Sequence, residues 1–196
     1  MNLTGEQFQK LWGDGYLETF CGYSHSREYI YSNILQPFES KEKVCLEIGC
    51  GGGVWTNRYL VPNFKDVISI DVIEKSVNIT NKYFKVFGYN CAPIEDESID
   101  FVFSFGVFCH LSNSAQKEYF DNIKRVLKKG GEAVVMFANW DKHPSLSLEK
   151  NGTQYLEKMH GIGWYYSNEE TIKEIVGEYK DLMPELRDTV IYFQKK

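Results

Sequence analysis

The sequence lacks the features of secreted, disulfide-stabilised and membrane-spanning proteins. Its five cysteines form no C-x-x-C pair, and scattered thiols in odd number favour a reduced, cytosolic protein. No apolar run reaches the ~18 residues that a membrane span needs. The N-terminus MNLTGEQFQK has no apolar signal core. We therefore expect a cytoplasmic protein without a membrane span.

Basic residues are also scarce. The 22 lysines and arginines against 27 acidic residues give a formal net charge of −5. No basic block exceeds a short pair such as Lys128 and Lys129, whereas proteins that bind nucleic acid carry a basic patch or stripe. We therefore predict no nucleic-acid partner and a small or neutral substrate, while the oligomeric state stays open.

Aromatic residues, by contrast, are plentiful. They make up 15% of the 196 residues, and hydrophobic residues make up 43%. A chain of this length forms one domain that buries roughly 70% of the surface of its unfolded state. The aromatic side chains favour either a pocket with flat walls or plain core packing. The stripe Phe101, Phe103 and Phe105 has the period of a strand and Trp55 falls in a predicted helix, so both are predicted to be core.

Strand and helix patterns alternate along the middle of the chain, which predicts an α/β, mostly parallel sheet with helices on both faces. The predicted strands are 44–48, 66–71, 99–105 and 132–138. The predicted helices are 54–60, 74–86 and 114–128, the last closed by lysines and by Gly130 and Gly131.

The flanks of this core complete a single domain of residues 1–196. Residues 1–40 are predicted to form a helical cap, with one helix near 4–12 and a second that begins at Ser26 and stops near Gln36. Residues 41–138 form the core, and residues 139–166 have no clear period and read as an insert or substrate lid. In residues 167–196, Ser167 and Glu170 form a capping box for a helix, and DTVIYFQKK reads as an edge strand.

The stretch LEIGCGGGVW (46–55) is the most unusual feature. Glycine suits positive φ and close approach of a ligand to the backbone, and a strand-to-helix turn aims N–H groups at phosphates and carboxylates. The dinucleotide fingerprint G-x-G-x-x-G fails because its third glycine would fall at Val54. The Walker pattern fails because no Gly-Lys-Ser/Thr follows. The structural alternative is a tight turn without a ligand.

What remains is the pattern E-x-G-x-G-x-G, formed by Glu47, Gly49, Gly51 and Gly53 and followed by Asp71 at the end of the second strand. This closely resembles the first two motifs of the class I S-adenosylmethionine-dependent methyltransferases. The segments PIEDESIDFVFSFGVFCHL (93–111) and RVLKKGGEAVV (125–135) resemble later motifs of that family in the same order. The resemblance covers roughly residues 40–138, and it is nearest to small bacterial methyltransferases that modify sugars and natural products.

The resemblance implies a doubly wound, seven-stranded Rossmann-like sheet with an antiparallel edge strand, and S-adenosyl-L-methionine as cofactor. In that family the acid at the end of the second strand accepts the ribose hydroxyls, which assigns Asp71, with Val72 beside it. Gly49, Gly51 and Gly53 would lie under the amino acid end, with Glu47 on the ammonium side. The remaining implied contacts are Ile94 and Glu95 beside the adenine, Phe105 near the methionine portion, and Asn90 in place of an acid missing from the third strand.

Two histidines are candidates for catalysis. His110 follows the predicted strand 99–105, and a neutral imidazole is suited to removing a proton near pH 7. The alternative for His110 is a satisfied structural group. His143, beside Trp140 and Asp141, is a second candidate for substrate contact or base chemistry. Asn139 and Asp141 resemble the metal ligands of catechol-type relatives, but the third oxygen ligand is missing, so no metal is predicted.

The predicted reaction is methyl transfer to a hydroxyl, or a similar nucleophile, of a small polar metabolite or sugar-linked group, such as one in surface polysaccharide modification. S-adenosyl-L-homocysteine would be the product. Two alternatives stay open. A catalytically silent module would bind S-adenosylmethionine and turn over no acceptor. An oxidoreductase would use a nicotinamide cofactor on a similar sheet and bind NADH instead.

Overall fold

The computed structural model describes residues 27–72, 91, 94–142, 149–151, 154–159 and 162–196. In this part of the chain, six strands form one sheet in the order β2-β1-β3-β4-β9-β8. They are β1 (Ser40–Ile48), β2 (Phe64–Ile70), β3 (Ile99–Ser104), β4 (Leu127–Phe137), β8 (Lys180–Asp181) and β9 (Thr189–Gln194). The remaining strands, β5 (Glu149–Asn151), β6 (Gln154–Met159) and β7 (Ile162–Ser167), form a separate antiparallel sheet, here called the accessory sheet.

The main sheet confirms the predicted α/β, Rossmann-like fold. Strand β1 pairs in parallel with β2 on one side and with β3 on the other, and β3 pairs in parallel with β4. Strand β9 runs antiparallel to β4 and to β8. Because β1 has β2 and β3 as neighbours on opposite sides, a crevice opens at its carboxyl end, where open α/β sheets bind ligands.

The core lies on both faces of this sheet. Strand residues alternate between two hydrophobic clusters: Leu46 and Val102 face one, and Cys45 and Phe101 face the other, as the two-residue period of a strand requires. The predictions that Phe101, Phe103 and Phe105 are core residues and that Trp55 is a packing anchor are confirmed, because all four are buried. The ring centroids of Trp55 and Phe103 are 5.5 Å apart.

In the described part of the chain, four helical segments cover the two faces of the sheet. Segment α1 is residues 27–38, formed by Arg27–Ile30, Tyr31–Leu35 and Gln36–Phe38, and α2 is residues 54–63. Helix α3 is Asn113–Val126 and helix α4 is Glu169–Val176. Ile34 in α1 and Tyr59 in α2 pack in one hydrophobic cluster, whereas Phe120 in α3 and Ile172 in α4 pack in the other.

Several predicted boundaries were wrong. Segment α1 continues through Phe38 rather than stopping at Gln36, because Pro37 lies in the first turn of its last part, where an N–H is not needed. Strand β4 begins at Leu127, so Gly130 and Gly131 belong to a strand rather than to a helix end. The backbone N–H of Gly130 donates to the carbonyl of Lys195 at 2.8 Å, which extends the pairing with the last strand.

The predicted capping box and edge strand near the C-terminus also need correction. The cap of α4 is Asn168, whose side chain accepts from the backbone N–H of Thr171 at 2.9 Å. Ser167 is instead the last residue of β7, and its N–H donates to the carbonyl of Ala138 at 3.0 Å. Strand β9 does not lie at the edge, because the two residues of β8 pair along its outer side.

Residues 139–166 contain regular structure that no periodicity indicated. They include the helical turn Trp140–Lys142 and most of the accessory sheet. The dipeptide Asn-Gly at 151–152, which begins at the last residue of β5, is a hairpin signal that could have revealed this sheet. Strand β7 contacts the turn Phe108–His110, and Ser167 forms a bridge with Asn139. The role of this region as a substrate lid stays a prediction.

Some predictions lie outside the described residues: the helix near 4–12, the start of the second helix at Ser26, and the helix 74–86. Within the part of the chain that the structure describes, no helix is both long and apolar enough to cross a membrane.

Candidate active site

The glycine loop, residues 49–53, turns β1 into α2 at the carboxyl end of the strand. Gly49, Gly51 and Gly53 have φ angles of +78°, +50° and +74°, a region that favours glycine. The N–H of Gly53 donates to the carbonyl of Cys50 at 2.8 Å, and the N–H of Asn57 donates to the carbonyl of Gly53 at 2.8 Å. Three of the four glycines are thus favoured by the turn itself.

The space around the loop differs between two of its glycines. A Cβ at Gly49 would lie 2.1 Å from Cγ2 of Val107, so the close approach there is to a side chain of the protein. A Cβ at Gly51 would have no atom within 4 Å. A ligand can therefore approach the backbone at Gly51, whereas the space beside Gly49 is occupied by the side chain of Val107.

Asp71 directly follows β2 and faces this loop. Its Oδ2 accepts a hydrogen bond from the backbone N–H of Gly51 at 2.8 Å, and its side chain is buried. Val72, the next residue, is half-buried. Two of the motif residues in the sequence pattern, 20 positions apart, thus lie together at the carboxyl edge of the sheet.

Glu47 lies beneath the loop, near the end of β1. Its Oε2 accepts a short hydrogen bond from Oγ1 of Thr56 in α2 and another from Oγ of Ser69 in β2 at 2.7 Å. The pKa of Glu47 is raised to about 7, chiefly by burial; the negative charge of Asp71 adds to the rise, and the bonds from Thr56 and Ser69 oppose it. The carboxyl group is therefore close to its midpoint of ionisation at neutral pH.

Thr56 and Ser69 were not among the residues that the sequence indicated. Ser69 pairs directly with Glu47 across β1 and β2. The signal was available, because Glu47 and Ser69 each lie two residues before the end-of-strand residues Gly49 and Asp71, and parallel strands in register place such positions side by side.

Ile94 and Glu95 lie in the segment that leads into β3. Ile94 is buried in the core and Glu95 is exposed. Arg125 of α3 holds this segment, because its Nη1 donates to the carbonyl of Ile94 at 2.9 Å and to Oδ1 of Asp96. Arg125, which the sequence pattern did not indicate, therefore fixes the position of the two residues predicted to flank the adenine.

Phe105 follows β3 beside the glycine loop. Its ring centroid is 6.0 Å from that of Trp55. Just before it, Oγ of Ser104 donates to the carbonyl of Ile48 at 3.1 Å, which ties the end of β3 to the end of β1. The placement of Phe105 near the loop is therefore consistent with its predicted position by the methionine portion, which stays a prediction.

His110 is half-buried and ends the turn Phe108–His110 after β3. Its backbone N–H donates to the carbonyl of Val107 at 2.9 Å, and Val107 is the residue that packs on Gly49. Ser112 caps the next helix, since its side chain accepts from the N–H of Ala115. His110 thus lies on the segment that the glycine loop supports.

A buried amide that the sequence pattern did not indicate lies behind this turn. Gln116 of α3 is fully buried, and its Nε2 donates to the carbonyl of Phe108 at 2.8 Å. Its Oε1 lies 3.1 Å from Oγ of Ser167, which is also 2.9 Å from Oδ1 of Asn113. Gln116 shares the inward face of the helix with Phe120, and a polar residue on that face was the available signal.

Asn139 and Asp141 make hydrogen bonds to protein groups rather than framing a metal site. Nδ2 of Asn139 donates to Oγ1 of Thr189 at 2.8 Å, and Oδ1 of Asn139 accepts from the N–H of Asp141. Oδ2 of Asp141 accepts from the N–H of Glu169 at 2.9 Å. Among the described residues, no group of three or more His, Cys, Asp or Glu side chains could hold a metal ion.

Two candidate residues, Asn90 and His143, lie outside the described residues. Of the cysteines, Cys45, Cys50, Cys91 and Cys109 are buried, and none of these four forms a disulfide. Burial raises the pKa of Cys91 to about 12 and raises those of Cys45 and Cys109. These three thiols are therefore unsuited to act as nucleophiles at neutral pH.

Comparison with known sequences supports the same family. Residues 46–135 match a family described as a methyltransferase domain. A tRNA U34 carboxymethyltransferase of Pseudomonas fluorescens is 28% identical over 139 residues, which cover 65% of this chain and 43% of that protein. Phosphoethanolamine N-methyltransferase 1 of Triticum aestivum is 29% identical over 126 residues, covering 59% and 25%. The chain spans less than half the length of these relatives.

Solved structures share the fold. The PH0226 protein of Pyrococcus horikoshii has a TM-score of 0.70 at 14% identity, covering 94% of this chain and all of that one. A Burkholderia thailandensis 1,6-didemethyltoxoflavin-N1-methyltransferase, with bound 1,6-didemethyltoxoflavin and S-adenosylhomocysteine, has a TM-score of 0.65 at 15% identity, covering 98% and 87%. Residues 46–135 are thus similar to a methyltransferase domain, and the described part of the chain shares the fold of these solved structures.

Proposed function

We propose that the chain binds S-adenosylmethionine in the crevice at the carboxyl end of β1 and transfers its methyl group to a small polar acceptor. The observation that carries the proposal is the 2.8 Å hydrogen bond between Oδ2 of Asp71 and the N–H of Gly51. It joins the acid after β2 to the glycine loop after β1 at the carboxyl edge of the sheet, which is the edge where open α/β sheets bind ligands.

Asp71 supplies the ribose contact in this proposal. A carboxylate has about four lone-pair sites on its two oxygens, so the bond from Gly51 leaves acceptor capacity for the two ribose hydroxyls. Hydrogen bonds to an ionised acceptor are about twice as strong as neutral ones. Val72 and Asn90 are proposed to continue this side of the cofactor site.

Glu47 and the glycine loop receive the amino acid end of the cofactor. The cofactor carries an ammonium and a sulfonium, and either charge favours the ionised form of Glu47, whose pKa of about 7 leaves both forms accessible. The backbone at Gly51 is open on its Cβ side, so the ligand can approach it there. Gly49 and Gly53 shape the loop.

The adenine and methionine portions meet residues of β3 and of the segment before it. Ile94 offers an apolar surface and Glu95 a carboxylate, and Arg125 holds the backbone of Ile94 in place. Phe105, packed on Trp55, is proposed to border the methionine portion.

The acceptor is proposed to be a hydroxyl of a small metabolite or sugar-linked group, such as a precursor of a surface polysaccharide. The net charge of −5 and the absence of a basic block support a small acceptor over a nucleic acid. A sulfonium methyl is already activated, so catalysis needs mainly an acceptor held in line. His110 is proposed to take the hydroxyl proton or to orient the acceptor, and His143 is the second candidate.

A nitrogen acceptor is the second candidate, because one similar protein is named a phosphoethanolamine N-methyltransferase. A screen of hydroxyl and amine acceptors, followed by release of S-adenosylhomocysteine, decides between the two. We expect turnover with a hydroxyl compound. Turnover with amines alone would overturn the oxygen assignment, binding without any turnover would indicate a silent module, and binding of NADH in place of S-adenosylmethionine would indicate an oxidoreductase.

A further inference from the structure

The turn that carries His110 is held by a side chain from another element. The carbonyl of Phe108, the first residue of this turn, accepts a hydrogen bond from the N–H of Leu111, the residue after the turn, at 3.1 Å. The same carbonyl accepts Nε2 of Gln116 at 2.8 Å. A carbonyl oxygen has two lone pairs, so the backbone and Gln116 together satisfy both.

Gln116 is in turn held by the accessory sheet. Its Oε1 lies 3.1 Å from Oγ of Ser167, and the same hydroxyl, whose one proton the two amide oxygens share, lies 2.9 Å from Oδ1 of Asn113. Ser167 ends β7 and is fixed to the main sheet, because its N–H donates to the carbonyl of Ala138 at 3.0 Å. A chain of side-chain hydrogen bonds therefore runs from the last residue of the accessory sheet, through one buried amide, to the turn of His110.

Burying the amide of Gln116 at this position carries a free-energy cost unless the amide is hydrogen-bonded. Gln116 is fully buried on a helix face whose other inward residues include Tyr119, Phe120 and Ile123. A buried amide without partners is strongly unfavourable, whereas leucine would be favourable there. A fully satisfied buried polar group specifies one arrangement of the elements that it joins. The buried amide of Gln116 therefore points to a role in positioning the elements that it joins, rather than to stability alone.

We propose that Gln116 and Ser167 are positioning residues: Gln116 fixes the carbonyl of Phe108, Ser167 fixes Gln116, and the accessory sheet thereby sets where His110 lies. The catalytic meaning of this inference rests on the proposed function, in which His110 meets the acceptor. The geometric part, that Ser167 controls the environment of His110, stands without it.

The test compares four variants that separate positioning from general destabilisation. Gln116→Leu removes both hydrogen bonds of the amide, and Ser167→Ala removes only the hydroxyl. Ser167→Thr keeps the hydroxyl as a conservative rescue. Ile123→Val is the matched control, because Ile123 is buried on the same helix but makes none of these hydrogen bonds.

The first readout is the side-chain NMR resonance of His110, assigned with His110→Asn. We expect it to move in Gln116→Leu and in Ser167→Ala, to stay near its wild-type position in Ser167→Thr, and to stay in place in Ile123→Val even at an equal loss of Tm. If Gln116→Leu does not fold, the pair Ser167→Ala and Ser167→Thr decides. An unmoved resonance in the first two variants, or an equal shift in Ile123→Val, overturns the inference.

The second readout is turnover with an acceptor from the screen. We expect kcat to fall about ten- to a hundred-fold in Gln116→Leu and Ser167→Ala, because misplacement of a reacting group by about 1 Å has effects of this size. The Kd for S-adenosylmethionine should stay within about two-fold. If no acceptor turns over, the proposed function fails while the NMR result still decides the positioning role. If the His110 resonance shifts in Gln116→Leu but not in Ser167→Ala, the claim that the accessory sheet positions His110 is overturned.

Discussion

Two regions meet at the carboxyl edge of the sheet and differ in how they are built. In the glycine-loop region, the hydrogen bonds described for Glu47 and Asp71 join residues at most 22 positions apart: Glu47 lies 9 from Thr56 and 22 from Ser69, and Gly51 lies 20 from Asp71. In the region of His110, the bond between Gln116 and Ser167 spans 51 residues. The first region can be read from neighbouring motifs, whereas the second depends on elements that meet only after folding.

The two regions also differ in charge. The glycine-loop region holds two buried carboxyl groups, Glu47 and Asp71, which suit the positive groups of S-adenosylmethionine. The region behind His110 is joined by neutral amides and a hydroxyl, those of Asn113, Gln116 and Ser167. Changes in the first region are therefore expected to alter cofactor affinity, and changes in the second to alter turnover.

The largest expected effect is in the second region. His110→Ala should lower kcat by about 10²- to 10⁴-fold with cofactor affinity nearly intact, because removal of a proton acceptor affects the transition state and leaves the cofactor site unchanged. His110→Asn, which keeps polarity, should lose a similar factor. Single-turnover kinetics with calorimetry checks this. A folded variant with more than about a third of wild-type turnover, when chemistry is rate-limiting, would return His110 to a structural role.

Gly49→Ala and Gly51→Ala form a matched pair: the first should mainly lower the unfolding free energy, and the second should mainly lower the affinity for the cofactor. Both glycines have positive φ, but only at Gly49 would a Cβ collide with Val107, at 2.1 Å. Strain and overpacking together should cost Gly49→Ala about 2 to 4 kcal/mol of unfolding free energy. Gly51→Ala should cost about 1 kcal/mol but weaken cofactor binding more.

Urea unfolding measures the unfolding free energy of the two variants, and calorimetry measures their affinity for the cofactor. Equal stability losses in the two variants would show that Val107 moves away without penalty. The packing of Val107 on Gly49 would then no longer link the glycine loop to the turn of His110.

The pH dependence of stability should single out Glu47. Its folded pKa of about 7 lies above the ordinary value of 4.5, so between these values the folded state holds a proton that the unfolded state has lost. Its stabilising contribution is complete below pH ~4.5 and is lost as pH rises to ~7, by about 2 to 3 kcal/mol. The unfolding free energy of wild type minus that of Glu47→Gln should therefore fall over this range.

Chemical denaturation at several pH values measures this difference. Glu42→Gln, on the exposed side of the same strand, is the matched control. A difference for Glu47→Gln that is flat or rises with pH would mean that the buried carboxyl group is already ionised below pH ~5 in the folded protein.

The smallest expected effect lies outside both regions. Asn168 caps α4 through the N–H of Thr171, so Asn168→Ala should lower the unfolding free energy by about 1 kcal/mol and leave cofactor affinity unchanged. Thermal unfolding compares it with Ser167→Ala. If Asn168→Ala reduced turnover as much as Ser167→Ala, the turnover effect would belong to the whole segment rather than to the Ser167 hydroxyl.

The sequence sufficed for the parts of the fold that local chemistry determines. The strands β1, β2 and β3, the glycine turn and the position of Asp71 follow from apolar runs and from residues that only a turn or a strand end favours. The start of β4 was misplaced because Gly130 and Gly131 are usual after a helix, and pairing with β9 overrides that preference. Such pairing joins residues far apart in the chain and leaves no local signal.

The candidate site divides in the same way. Glu47 and Asp71 could be selected from spacing, whereas Ser69 can be selected as a partner of Glu47 only once the parallel register of β1 and β2 is taken into account. Gln116 and Ser167 lie on different elements; the inward face of the helix could have indicated Gln116, but nothing in either segment indicates that the two residues meet. The polar residues that support a site are therefore less predictable from sequence than the residues that a motif contains.

The most direct test of the central claim is calorimetry of S-adenosylmethionine binding to wild type and to three aspartate variants. We predict micromolar affinity for wild type, roughly −7 to −9 kcal/mol, and a loss of about 1.5 to 3 kcal/mol in Asp71→Ala. Asp71→Asn keeps an acceptor for the N–H of Gly51 and tests the charge alone. Asp66→Ala, exposed on the same strand, should bind as wild type does. Unchanged affinity in Asp71→Ala, or no binding by the wild-type protein, would contradict the account.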